Sequence, residues 1–253
     1  MVPTGDVILS LVLPAYNEAA RLPPYLAAIR PYIEGRYGRR YEVIVVDDGS
    51  RDGLAGMLEA AAASWPQLKW IRHDANRGKG AAVRTGMLAA RGGLLLFADA
   101  DGAAPIEEER RLADAIRAGA DLAVGSRLVR GPDQRLSRNR IRGLAGRLFA
   151  ALAGRILRLP IRDPQCGLKM FRAEAGRRLF ERCEESRYLF DLELLAMAQR
   201  LGYRCDEVSI SWHEVPGGHL RLMRELPGVL AGLARVRRRV RSMPIAEEST
   251  GSA

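Results

Sequence analysis

The 253-residue chain is poor in cysteine, in lysine and in long apolar runs, and each shortage excludes something. Cys166, Cys183 and Cys205 are too few and too scattered for a disulfide framework or a zinc site, and the odd count suits a reducing compartment. His73, His213 and His219 have no metal-binding spacing either, and His73 is expected at a strand end. No uncharged apolar stretch approaches the roughly 20 residues that span a bilayer, and the first 30 residues lack a secretory pattern. The expectation is a cytoplasmic protein, peripheral on the cytoplasmic face of a membrane for reasons given below. Aromatics are 6% of residues, which leaves few stacking platforms for nucleic acid.

Arginine, by contrast, is abundant. Formal net charge is +10, and only Lys69, Lys79 and Lys169 among the 40 basic residues are not Arg. Such a balance points to an anionic partner: nucleic acid, phosphate groups or a membrane surface. The excess lies late in the chain. Arg127 to Arg158 holds nine Arg against the single acid Asp133, and Arg221 to Arg241 holds seven Arg against one Glu.

At 47% hydrophobic, the chain is long enough for one large α/β domain. The segments VILSLVLP, YEVIVVDD, LKWIRH, LLLFADAD and DLAVGSR read as strands, with helical spacing over Glu18–Ile33 and Leu54–Ser64 between them. Alternation of this kind predicts a mostly parallel sheet with helices on both faces and a ligand site beyond the carboxyl ends of the strands. Polar residues gather at those ends: Asn17 and Glu18, Asp47 to Ser50, Asp99 and Asp101, Ser126 and Arg127. RGPDQRLSRNR reads as a mobile functional loop. Two amphipathic helices are expected, Ile141–Leu157 and Leu220–Val240, the second split near Pro227. The domain plan is then a catalytic unit over 1–215, a basic helical segment over 216–243 and a disordered tail over 244–253.

LLLFADADGAA sets Asp99 and Asp101 either side of one Ala at the end of an apolar strand, where alternation lets both point one way. Two like charges on one face need a cation, a basic neighbour or solvation. Spacing alone leaves a solvated turn or helix cap as open as a metal site. Gly78-Lys79-Gly80 lacks the rest of a Walker loop, so a Walker-type ATPase is not expected.

Taken together, PAYNE (Pro14–Glu18), VVDDGS (Val45–Ser50), the Asn76–Gly86 block, DADG (Asp99–Gly102), GSR (Gly125–Arg127), QCGLKMF (Gln165–Phe171) and FDLELL (Phe190–Leu195) resemble the family-2 glycosyltransferases of the GT-A fold. Within that family the chain is most similar to the dolichyl-phosphate or polyprenyl-phosphate sugar transferases, and DADG, QCGLK and FDLELL look more like the glucosyl than the mannosyl type. The resemblance covers about 6–215.

The resemblance implies a GT-A (Rossmann-like) fold and inverting transfer of a sugar, glucose from UDP-glucose above others, to a polyprenyl phosphate. It implies Mg²⁺ or Mn²⁺ as cofactor, with Asp101 the main metal ligand and Asp99 on ribose or metal-bound water. Pro14, Ala15, Glu18 and Asp47 match the nucleotide pocket, and Lys79 lies near the diphosphate or merely in a turn. Asp191 falls where the family keeps a catalytic Asp, though a helix N-cap suits it equally. Asp48 and Ser50 likewise fit an N-cap before Leu54, the preferred reading for Ser50. Arg127 and Arg138 match acceptor-phosphate positions, with Arg142 and Lys169 as further candidates. The loop after Trp212 reads WHEVPGGHLR, lacking the branch's usual Ser-Lys, so His219 or Arg221 is expected to substitute.

A lipid-phosphate acceptor is already anionic and requires no strong general base. Both basic helices are expected to lie in a membrane interface, the alternative being that they pack on the domain or on a second subunit. The rival enzyme reading uses another donor, GDP-mannose or UDP-N-acetylglucosamine, or a soluble acceptor. A nucleic-acid module is disfavoured, because Asp47, Asp48, Asp99 and Asp101 would repel phosphates. A homo-oligomer is left open.

Overall fold

In a computed structural model of the chain, residues 6–131, 133–137, 140–213, 215 and 222–244 are described, with side chains excepted over 140–148 and 222–227. The elements in order are β1 (Leu9–Ala15), α1 (Leu22–Tyr37), β2 (Tyr41–Asp47), α2 (Leu54–Ser64), β3 (Leu68–Arg72), α3 (Lys79–Ala89), β4 (Leu94–Ala98), α4 (Glu109–Arg117) and β5 (Leu122–Ser126). There follow β6 (Leu136–Ser137), α5 (Arg140–Leu157), β7 (Leu168–Arg172), α6 (Ala173–Arg182), α7 (Phe190–Arg200), β8 (Cys205–Ser209), β9 (Trp212–His213) and α8 (Leu222–Ser242).

Seven strands form one sheet in the order β3-β2-β1-β4-β7-β5-β8. All neighbours pair in parallel except β7, which runs antiparallel between β4 and β5. β1 and β2 are buried along their whole length, as the unbroken apolar runs require of strands covered on both faces. Leu11, Leu13, Val43 and Val45 face one core with Leu22, Leu26, Ile29 and Ile33 of α1. Val12, Ile44, Val46 and Phe97 face the other, with Val83 of α3, Phe180 of α6 and Phe190 and Leu194 of α7. The parallel strands all end on one rim, which gathers the polar residues that follow them.

α1 begins at Leu22 rather than Glu18, because the Glu18 carbonyl accepts the Arg21 and Leu22 N–H groups and prolines occupy the first helical turn. The expected loop after Arg127 is partly ordered by pairing: Leu136–Ser137 lies parallel to Trp212–His213. α8 runs through Pro227 without the expected break. Its Leu233, Val236 and Val240 are buried, Leu233 with Phe149, Ala153, Leu189 and Leu192, and the other two in the core that α7 covers. Packing on the domain therefore takes up this face of α8, the alternative to a membrane interface that the sequence left open. The 141–157 helix is seen as α5, and its Phe149 and Ala153 are buried in the same cluster. Among the described residues no helix is long and apolar enough to cross a membrane.

Candidate active site

β4 stops at Ala98, so Asp99 and Asp101 stand in the turn beyond it, and the turn rather than strand alternation brings them together. The backbone N–H of Asp99 donates to Gly167 O at 2.9 Å, and Asp101 accepts from Ala103 N–H at 3.0 Å. Gly167 faces the Asp99 carboxylate so closely that a Cβ there would stand 2.1 Å from its Oδ2. Burial first, and then the charge of Asp99, push the Asp101 carboxyl above its usual range, while the Ala103 N–H and Lys79 oppose this. Glu18 is raised as well, by burial above all and in part by both aspartates. One oxygen of Glu18 bonds Arg21, and the other is buried without a hydrogen-bond partner.

Lys79, the first residue of α3, pairs with Asp99 at 2.5 Å. Burial alone would lower its pKa, but the charges of Asp99, Asp191 and Asp101 raise it. The α3 start is a ready anion site, with N–H groups unpaired within the helix and the dipole's positive end. Gly78, at φ +100°, lies against Ser186 O, so a side chain there is excluded by space and backbone alike.

Asp47 at the end of β2 accepts from Ser50 N–H at 2.8 Å and is wholly buried. Its second oxygen lies 3.5 Å from Arg72 Nε, without hydrogen-bond geometry. Asp48 is not a helix cap. It accepts from Arg77 and Gly78 N–H and meets His73, so it shapes the turn leading to Lys79. Neither is Ser50 the cap, since Gly53 precedes α2 and the Ser50 hydroxyl accepts from Asn17 N–H at 2.9 Å. Pro14 and Ala15 are buried at the end of β1, where Ala15 O accepts from Asp48 N–H. His73 directly follows β3 and is buried between Asp48 and Thr85.

Asp191 sits inside the first turn of α7 with Leu189 at the cap position, so the N-cap alternative falls. It is buried and bonds Lys169 Nζ at 2.7 Å. Burial raises its pKa, against Lys169 and Lys79, which lower it. Lys169 also donates to Cys166 O and has no exposed surface, so its ammonium does not face an incoming phosphate as expected. The Phe97 ring lies 5.7 Å from the Lys79 ammonium and 5.4 Å from that of Lys169.

Arg127 is likewise committed. Its Nε and Nη2 form a two-pronged pair with Asp163, both at 2.8 Å, and its guanidinium stacks 4.9 Å from Trp212. Burial would raise the Asp163 pKa, but the bonds and charge of Arg127 outweigh it and hold the carboxyl low. Of the three guanidinium nitrogens, Nη1 is the one outside the Asp163 pair. Arg138, His219, Arg221 and the side chain of Arg142 lie outside the described residues. Asp163 was absent from the sequence reading, although it is the first acid after Asp133 in an Arg-rich stretch and so the natural counter-charge.

Among the described residues no three His, Cys, Asp or Glu side chains converge as a metal cage. What the rim offers is the hard carboxylates of Asp99 and Asp101, the latter destabilised as an anion by burial and by Asp99, with a partnerless Glu18 oxygen nearby. That donor set fits a divalent cation that takes most of its ligands from substrate phosphates and water.

The model of glycosyl transferase family 2 matches residues 10–180. The chain belongs to glycosyltransferase family 2, and it is a glycosyltransferase. A dolichyl-phosphate beta-glucosyltransferase of Saccharomyces cerevisiae is 35% identical over 234 residues, 86% of this chain and 70% of that protein. One of Drosophila melanogaster is 37% identical over 224 residues, 84% and 69% of the two chains. Among solved structures, glucosyl-3-phosphoglycerate synthase from Mycobacterium tuberculosis, in complex with Mn²⁺ and UDP-glucose, superposes with a TM-score of 0.67. It covers 97% of this chain and 82% of its own, at 21% identity, a likeness of fold. The glycosyltransferase family 2 match includes Asp47, Lys79, Asp99, Asp101, Arg127 and Lys169 and ends before Asp191.

Proposed function

We propose that this glycosyltransferase moves glucose from UDP-glucose to a dolichyl or polyprenyl phosphate, with Mg²⁺ or Mn²⁺ as cofactor. The observation that carries the site assignment is the Asp99–Lys79 pair beside a half-buried Asp101, at the rim where β4 and α3 converge. The sugar and the lipid-phosphate acceptor rest on the relatives, named dolichyl-phosphate beta-glucosyltransferase and at least 35% identical over most of the chain, and the UDP donor on the fold neighbour solved with UDP-glucose.

Inverting transfer displaces the nucleoside diphosphate in line with an attacking oxygen. Asp47 and the buried end of β1 form the wall for base and ribose, and Asp101, with Asp99, would hold the cation. When bound, that cation supplies charge stabilisation to the departing diphosphate. Lys79 and the start of α3 supply fixed positive charge on the same leaving group. Asp191, clamped by Lys169 and close enough to feel the charges of Lys79 and Asp99, orients the sugar or the acceptor. No proton need leave a phosphate acceptor, so no residue is required as a strong base. Arg127 reads acceptor charge through its free edge, its plane fixed by Asp163 and Trp212.

Membrane contact is part of the proposal. Ile156, Leu230, Ala234, Arg237, Arg238 and Arg241 line a groove of about 440 Å³ between α5 and α8. Leu152 and Leu230 are exposed, and no carboxylate lines the groove. An apolar floor rimmed by cations suits an anionic lipid surface. The catalytic unit of 1–215 would thus be held at the lipid by its own α5 together with the 216–243 segment.

The deciding experiment is a donor screen with UDP-glucose, UDP-N-acetylglucosamine and GDP-mannose against a short polyprenyl phosphate, products identified by mass, with and without EDTA. Metal-dependent glucosyl polyprenyl phosphate is the expected product. Transfer only from another donor, or only to a soluble acceptor, overturns the substrate assignment.

A further inference from the structure

The turn between α6 and α7, residues 183–189, is held from one side and shapes the site on the other. Glu193, two residues beyond Asp191, has no exposed surface. Its Oε2 accepts from the Cys183 thiol at 3.2 Å and from the backbone N–H groups of Glu184 at 3.0 Å and Glu185 at 2.7 Å. Its Oε1 takes Nη1 of Arg239 from α8, whose Nη2 pairs with Glu184 at 2.8 Å. One turn earlier on α8, Arg235 pairs with Glu185 at 3.0 Å.

The far side of this turn touches the nucleotide-sugar rim. A Cβ on Gly78 or on Gly80 would lie 2.5 Å from the carbonyl oxygens of Ser186 and Glu185 respectively. Ser186 O also accepts from Ala81 N–H at 3.0 Å, within the first turn of α3. The start of α3, and with it Lys79, is therefore docked on a turn whose own backbone is pinned by Glu193. Because Gly78 and Gly80 leave no slack, a displacement of that turn moves the Lys79 ammonium relative to Asp99.

We propose that Glu193, held by Arg239, is a positioning residue for the donor site, so that α8 takes part in catalysis from a distance. The physical case is the asymmetry of a buried charge. Four hydrogen-bond donors converge on one carboxylate, and each would be left without its acceptor if the turn moved. A purely structural link between α7 and α8 is already made by Leu192, Leu233 and Val236, which need no charge. This inference rests on the donor reading above for its kinetic arm only.

The test compares Glu193→Gln, Arg239→Met and Arg239→Lys in the full chain with Leu58→Val, a core change on the other face of the sheet. Hydrogen exchange of the 76–84 amides should accelerate about ten-fold in the first two variants, with the 41–50 amides unchanged. UDP with Mn²⁺, titrated calorimetrically, should bind about ten-fold more weakly, while the acceptor KM stays within about two-fold. Arg239→Lys should recover part of both effects, and Leu58→Val should lower Tm alone. Unchanged 76–84 exchange, or equal losses for donor and acceptor, overturns the proposal. Should the parent protein fail to bind UDP, the donor reading falls while the exchange comparison still decides this one. Should Glu193→Gln fail to fold, the two Arg239 variants, which keep the Glu193 backbone bonds, carry the test.

Discussion

Lys169 donates to Asp191 at 2.7 Å where both side chains are almost wholly shielded from water. Such a pair is asymmetric: together the charges cancel, while either alone is an uncompensated buried ion.

Lys169→Met should therefore destabilise the fold by about 3 kcal/mol at neutral pH. The pH dependence has a defined sign. Asp191 is raised by burial, and losing Lys169, the first of the groups that lower it, raises it further. A carboxyl whose folded pKa lies above its unfolded one favours folding when protonated, a contribution lost as pH rises through the folded value. Thermal melts of Lys169→Met should show a Tm deficit that shrinks toward acidic pH. Adding Asp191→Asn should restore much of it, and a deficit independent of pH would contradict the pairing.

Asp101→Ala should abolish metal-dependent transfer, by at least about 10²-fold, with Tm nearly unchanged. Far-UV circular dichroism and a product assay together check this. Relief of like-charge repulsion at the rim predicts a small gain rather than a loss in Tm.

Cation binding should also fail at a higher pH than for an ordinary aspartate. The ionised form of Asp101 binds, its pKa is raised by burial and by Asp99, and so the binding form is lost earlier as pH falls. Mn²⁺ titrations followed by electron paramagnetic resonance across pH 4 to 7 measure this, and the midpoint should move down as Mn²⁺ is increased.

Gly167→Ala is the smallest change expected to misplace Asp99. Its Cβ would meet the carboxylate at 2.1 Å, closer than any contact tolerates, so the Asp99 side chain must turn away from Lys79. Donor affinity should fall about ten-fold, the acceptor KM changing less.

Arg127→Ala should lower Tm as well as raise the acceptor KM, because it strands Asp163 in a buried position. Asp163→Asn should reproduce the kinetic effect with a milder Tm loss. An acceptor effect with no change in Tm would place Arg127 free in solution instead.

The five early strands were legible because a parallel sheet covered on both faces needs unbroken apolar runs, and VILSLVLP and YEVIVVDD supply them. The positions of Asp99, Asp101, Asp47 and Lys79 were legible as well, since each ends or follows a strand, or opens a helix, at the rim, a place that local pattern identifies. That Lys169 and Arg127 are already paired was not legible. Their partners, Asp191 and Asp163, are 22 and 36 residues away, and no local pattern reveals which charges a fold brings together. Glu193 and Arg239, 46 residues apart, escaped notice for the same reason. For α8, amphipathicity alone could not distinguish a face that meets lipid from one that meets α7.

The reversed strand β7 has a consequence for how the chain is made. β4 is complete at Ala98, yet the strand that covers its outer edge begins only at Leu168. β5 waits for the same segment. As the chain emerges from the ribosome, the β1–β4 half can assemble while β4 still presents an open edge of unpaired amides. The donor rim cannot close until Gly167 arrives to meet Asp99, so that open edge is the point where nascent chains pair with one another if synthesis stalls before residue 172.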